Sequence, residues 1–222
     1  METLMTSGLW IFVNDDPGSY PLMVMEFLAT LKVDVSAVHG VASAWHFNLG
    51  GIQLHQEREE IFNWVGISPT GANINYNEAA RQDFWLEIAS PPPRSFSHPL
   101  PASLITHTYW KVLHRIIATV INVREGEGEF VTKEDLNILL SICEHHPPDW
   151  FTILSKRFEE YVSRRGSQIL EIGGGSIITR IALGIGYVID PATHGDPSKS
   201  VLNFIEEGED VIMVSSSSEN EA

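Results

Sequence analysis

Residues 104–143 read LITHTYWKVLHRIIATVINVREGEGEFVTKEDLNILLSIC, and the periodicity of this stretch decides the fold. Ile105, Tyr109, Val112, Leu113, Ile116, Ile117 and Val120 recur at spacings of three and four, so they share one face of a 3.6-residue period. Such a face predicts a helix buried in the core or at an interface. Lys111, His114, Arg115 and Thr119 fall between, with His114 one step off the apolar face as a half-buried, hydrogen-bonded residue. A turn rich in Glu and Gly follows over residues 122–128 and ends the helix. Thr132 then suits an N-cap, the carboxylates of Glu134 and Asp135 oppose the dipole of the next helix, and Leu136, Leu139, Leu140 and Cys143 form its apolar stripe.

Outward from this pair, Pro147-Pro148 stops the second helix. Asp149 caps a third, which carries Trp150, Phe151, Leu154, Phe158 and Tyr161, and Arg164-Arg165-Gly166 suits its C-terminus. Gly173-Gly174-Gly175 opens another helix, built on Ile177, Ile178, Ile181, Ala182 and Ile185. Upstream, Leu22, Met25, Phe27, Leu28 and Leu31 fall mostly at helical spacing, while residues 45–49 and 52–54 alternate around Gly50-Gly51 as a small hairpin. Residues 56–65 read as a short helix ended by Gly66, and residues 77–88 as another carrying Ala80, Phe84, Trp85 and Ile88. Pro91-Pro92-Pro93 begins an extended connector reaching Pro101. The expected fold is mainly α: an irregular multi-helix domain with a small N-terminal β-hairpin and a disordered acidic tail. Its expected divisions are an N-terminal helix and hairpin subdomain over 1–90, the proline-rich connector over 91–101, a helical C-terminal domain over 102–190, and the tail over 191–222.

Several short motifs occur in one order. They are Tyr20-Pro21, Glu26-Phe27-Leu28-Ala29-Thr30-Leu31, Phe47-x-Leu49-Gly50-Gly51 and Trp64-Val65-Gly66-Ile67, followed by Leu113-His114-Arg115-Ile116-Ile117-Ala118 with His107 upstream of it. After the charged Gly turn come Thr132-x-x-Asp135-Leu136 and Gly173-Gly174-x-x-Ile177-Ile178-Thr179-x-Ile181-Ala182-x-Gly184. In this order, over residues 20–188, the chain resembles the protein encoded by the first open reading frame of plant Athila-type LTR retrotransposons. The resemblance implies a gag-region structural protein and carries over no catalytic residue. Gag proteins of many retroelements carry a Cys-rich zinc knuckle that grips RNA; this chain has none, so that function lies elsewhere or this copy lost it.

Composition narrows the classes further. The chain has 222 residues, of which 43% are hydrophobic, enough for one sizeable core. A single cysteine, Cys143, excludes an internal disulfide and any Cys-based zinc cluster, and residues 1–13 lack the basic start of a signal peptide, so an intracellular setting is expected. The most apolar long stretch, residues 169–189, contains Glu171, Arg180 and a glycine cluster, which disfavours a membrane span. The net charge is −15, and it is concentrated at the ends: residues 1–100 carry 4 basic and 11 acidic groups, and residues 181–222 carry 1 and 8. Affinity for RNA grows with phosphate neutralisation, and the densest basic pairs are Lys156-Arg157 and Arg164-Arg165, which argues against tight autonomous nucleic-acid binding.

Three constellations invite a chemical reading. Residues 169–175, with Gly173-Gly174-Gly175 after an apolar run, look like the strand-to-glycine loop of an S-adenosylmethionine-dependent methyltransferase, with Asp190 placed where an acid follows. Ile177 stands where that motif has its last glycine, and too little chain follows Asp190 for the remaining units of a doubly wound sheet, so the glycines read instead as a helix entry. Cys143, His145 and His146 offer ligand types for zinc, but adjacent histidines in the last turn of a helix suit the dipole there. Nine histidines among scattered Ser and Asp supply triads on paper, without a Gly-x-Ser-x-Gly elbow. No residue is therefore assigned to catalysis, a cofactor or a metal. The six tryptophans read mostly as core, with the surplus apolar surface favouring self-association. The expected function is a gag-like structural protein acting by protein–protein contact. The alternatives are a methyltransferase-like enzyme using residues 171–175 and Asp190, and a decayed open reading frame without selected function.

Overall fold

The computed structural model describes residues 9, 17–36, 41–67, 71–72, 74–91, 96–122, 128–163, 174–194 and 197. Alternation around a glycine pair becomes an antiparallel sheet of three strands, β1 (Lys32–Val35), β2 (Ala42–Leu49) and β3 (Ile52–Glu57), in the order β1-β2-β3. Gly50 and Gly51 close the β2–β3 turn with φ of 59° and 74°, both in the left-handed region that a two-residue hairpin loop requires. Leu49 thereby faces Ile52, Phe47 faces Leu54 and His46 faces His55. Trp45, Phe47 and Leu49 point to the inner face and are fully buried.

Three helices cover that face: α1 (Pro21–Thr30), α2 (Arg58–Val65) and, from the C-terminal half, α6 (Trp150–Ser163). Pro21 opens α1, where a missing N–H costs nothing. Glu57 and Glu60 form a capping box for α2, and Gly66 ends it at φ 78°. Two further helices, α3 (Glu78–Ile88) and α5 (Lys133–Cys143), pack on each other, with Asn77 and Thr132 as their N-caps. The helix α4 (Thr108–Ile116) packs on α5 and runs directly into a π turn, Ile117–Ile121. The last long helix, α7 (Gly175–Gly184), lies against α1, α2 and the π turn, and it buries every residue from 177 to 182.

The expectation of a mainly α fold with one hairpin is corrected by these strands. Among the described residues 55% are helical and 18% extended, in a mixed α/β arrangement. Beyond the hairpin there is the third strand β1 and a second sheet, formed by β4 (Leu100–Pro101) and β5 (Phe130–Val131). Both escape periodicity for physical reasons: β1 is a largely exposed edge strand of four residues, and β4 and β5 are two residues each. The long helix expected from residue 104 starts at Thr108 instead, after a 3-10 turn over Ala102–Leu104 and a bridge between Ile105 and Ala89.

One hydrophobic cluster draws on both sides of the proline-rich connector, from Phe27, Trp45 and Trp85 to Leu139, Phe151 and Ile181. The expected acidic tail lies outside the described residues, except for residue 197 and one helical turn, Pro191–His194. Ile116 is 1% exposed in this core and Leu86 on α3 is 50% exposed. Ile116→Asp would bury a carboxylate among apolar neighbours and is expected to cost about 3 kcal/mol or more, whereas Leu86→Asp should stay within about 1 kcal/mol. Urea unfolding of both variants checks this, and equal losses would contradict the packing of α4.

Candidate functional site

The apolar face read from the sequence lies in the interior. Ile105, Leu113, Ile116, Ile117 and Val120 are buried, with Tyr109 and Val112 half-buried against them. The motif glycines serve packing. Gly174 is the left-handed N-cap of α7 at φ 77°, a methyl at Gly175 would collide with Ser19, and one at Gly184 would enter the Trp64 indole. Gly173 lies outside the described residues. Asp190, the acid of the methyltransferase reading, accepts from the Ala192 N–H and the Thr193 hydroxyl at the start of its own helical turn. The sheets are antiparallel, so the described residues hold no parallel βαβ unit behind the glycines.

A second group of polar side chains is buried beside the π turn. Asp135 accepts from the Thr132 N–H at 2.7 Å and the Asn122 amide at 2.6 Å, and His114 Nε2 stands 3.3 Å from its carboxylate. The Asn122 oxygen accepts in turn from Arg157 Nε at 3.1 Å, and Arg157 also donates to Glu160 at 2.8 Å. His114 and Asp135 have the partnership of a catalytic dyad, but both are sealed from solvent and Thr119 donates its hydroxyl to the Arg115 carbonyl. A buried carboxylate with this many donors holds structure: here it caps α5 and fixes the end of the π turn.

Cys143, His145 and His146 do not converge. His145, at φ 59°, and His146 send their N–H groups back to Ile142 and Ser141, the bonding pattern that closes α5 with a left-handed residue. Burial pushes the Cys143 thiol above its usual value, and the charges of Glu87 and Glu144 push it further, away from the thiolate that a metal or an electrophile needs. Beside it, Tyr76 donates to Glu144 at 2.7 Å. Burial first, then that bond and the Glu144 charge, raise the phenol to about 12.

The cluster that stands apart is on the outer face of the sheet. With Trp45 and Phe47 turned inward, His46 points outward, opposite His55 on β3, and Asp34 on β1 reaches the same place. Asp34 Oδ2 is 2.8 Å from His46 Nε2, and His55 Nδ1 is 3.0 Å from the same nitrogen. The other nitrogen of His55 lies 3.7 Å from Glu57 Oε1. One ligand atom from each of Asp34, His46 and His55 lies within 4.8 Å of the others, the spacing of groups that share an ion. Sequence reading missed this cluster, although one signal for it existed: His46 and His55 are equidistant from the Gly50-Gly51 turn.

No family model, no curated protein sequence and no solved structure matches the chain.

The Tyr76 phenol supplies a prediction with a definite sign. Folded, it keeps its proton to about 12, against 10.0 ordinarily, so the folded state binds the extra proton between those values. Its contribution to stability is constant below the lower value and is lost as pH rises toward the upper one. Phenolate absorbance, taken as the difference between the parent and Tyr76→Phe, should show one tyrosine ionising late. Glu144→Gln should lower that transition without returning it to the ordinary value, because burial is the larger cause. A transition unmoved by Glu144→Gln would remove the assigned bond.

Proposed function

We propose that the chain is a gag-like structural protein of the kind encoded by the first open reading frame of plant Athila-type LTR retrotransposons, working inside the cell through self-association and without catalysis. One observation carries this reading: residues of the motifs that make up the resemblance contact one another as framework. Glu26 accepts the N–H groups of Gly50 and Gly51, both at 2.7 Å, Trp64 packs on Gly184, and His114 meets Asp135. Motifs that hold a fold together suit a structural role better than an active site. Further support comes from the surface. Among the described residues β1 and β3 each pair on one side only, and Ile52, Leu183 and Val188 expose half or more of their area. No helix of the described residues is long and apolar enough to cross a membrane.

Self-association of this chain works against its charge. Repulsion between acidic ends is long-ranged and screened by salt, whereas apolar contact is not. Raising ionic strength from about 50 to about 500 mM should therefore strengthen the oligomer. Deleting the residues after Glu209, which removes Asp210, Glu219 and Glu221 and no base, should act in the same direction. Light scattering that gives a strict monomer at high protein concentration in both salts would overturn the proposal and favour the decayed-frame alternative.

The net charge of −15 carries a companion prediction, that the protein does not retain single-stranded RNA at physiological salt. Sub-micromolar binding in a filter assay under those conditions would contradict it.

A further inference from the structure

Two imidazoles and a carboxylate meet on three adjacent strands, and a tetrahedral ion sets a demanding test for such a trio. With metal–ligand bonds of about 2.0–2.1 Å, neighbouring donor atoms must lie roughly 3.3 Å apart. The observed separations are 2.8 Å from Asp34 Oδ2 to His46 Nε2 and 3.0 Å from His46 Nε2 to His55 Nδ1. An ion takes the place of these two direct contacts once their donors part by a few tenths of an ångström, and all three donors already lie within 4.8 Å of one another. We infer that the outer face of the sheet is a divalent transition-metal site that takes Zn2+ on His46, His55 and Asp34, with solvent in the fourth position.

The chemistry of the donors chooses the class of ion. Imidazole nitrogens suit zinc and its neighbours in the first transition row, whereas magnesium and calcium demand oxygen, so one carboxylate and two histidines select against the hard cations. The scaffold fixes the donors before any ion arrives. His46 and His55 are direct partners across a paired ladder, and the other face of β2 is locked by Trp45 and Phe47 in the core. Glu57 stands at the non-ligating nitrogen of His55, the place of the outer carboxylate that orients a zinc-bound imidazole. Side-chain exposures of 53% for Asp34, 33% for His46 and 47% for His55 leave the site open to an entering ion. Lys32, opposite His46, is a cation on this face, against the two carboxylates of Asp34 and Glu57. The site does not depend on the gag-like reading, since Asp34, His46 and His55 lie outside the sequence motifs that carry that reading.

The test is a calorimetric titration of the untagged 222-residue chain with ZnCl2 in a non-chelating buffer, with the imidazole proton resonances followed in parallel. One equivalent should bind and shift the signals of His46 and His55, and Mg2+ in excess should not compete. His55→Gln and Asp34→Asn alter exposed side chains and should leave the melting temperature of the metal-free protein nearly unchanged while weakening Zn2+ by at least about tenfold. A His145→Gln, His146→Gln double variant should bind as the parent does. Absence of heat and of imidazole shifts at millimolar Zn2+ would overturn the assignment. So would equal affinity in the parent and both site variants, which would place the ion elsewhere.

Discussion

The structure turns on the burial of Trp45. Its indole stacks on Phe151 at 4.8 Å between ring centroids and meets Phe27 and Phe158 edge-on, so that one side chain touches α1 and α6 from the middle strand of the sheet. Aromatic pairs of this geometry add about 0.5–1.5 kcal/mol each beyond the area they bury. The buried indole N–H also finds an acceptor, the Ser155 hydroxyl on α6, at 2.7 Å. Through this contact the N-terminal sheet and the C-terminal helices share one core. Phe47 and Phe62 extend the ring cluster on either side, each packed against an aromatic that already touches Trp45.

A second set of contacts joins the same halves by polar means. Arg58, the first residue of α2, makes two bonds to Asp149, at 3.1 and 2.7 Å, while its guanidinium lies over the Phe62 and Phe151 rings. Asp149 also accepts from the N–H and the hydroxyl of Thr152, so the carboxylate that begins α6 is the one that holds α2. The backbone of Ala72 pairs alongside with Pro147 and Asp149, and Tyr76 reaches Glu144. A largely buried ion pair adds little net stability, but losing either partner strands the other charge. Its effect here is positional: it places the start of α6 so that Phe151 and Ser155 arrive under Trp45.

How much of this was legible depended on how local the signal was. Caps at Thr132 and Asp149 are written in a few adjacent residues, and so is the Gly50-Gly51 turn. The strand β1 was not legible, because Lys32-Val33-Asp34-Val35 is short and mostly exposed, and its pairing with β2 follows from tertiary contact rather than from its own pattern. The π turn left no trace either: residues 116–121 are buried on every side, so an extra residue in the helical turn shifts no polar position. The buried His114–Asp135 contact joins residues on different helices, and no spacing rule anticipates it. For the outer cluster, half the information was local. The turn pairs His46 with His55, but reading a helix from Gln56 cut β3 short, and Asp34 enters only with the unrecognised strand.

The outer cluster owes its position to the core rather than to its own interactions. Successive residues of a strand face opposite ways, so the requirement that Trp45, Phe47 and Leu49 point inward forces His46 outward. A slip of one residue would expose the indole and bury the imidazole, and the aromatic cluster forbids it. The left-handed glycines then fix which residue of β3 stands opposite, and Glu26 holds the turn by accepting both of its N–H groups. Asp34 and His55 are delivered by the two edge strands, and the β1–β2 register shifts immediately beyond Asp34, between it and Val35. His46 is therefore set from behind by the core, while His55 stands on an exposed edge strand and the carboxylate at the last regular pair of another. Such a trio can close on an ion by moving its least constrained member, leaving Trp45 and the helices beneath it where they are.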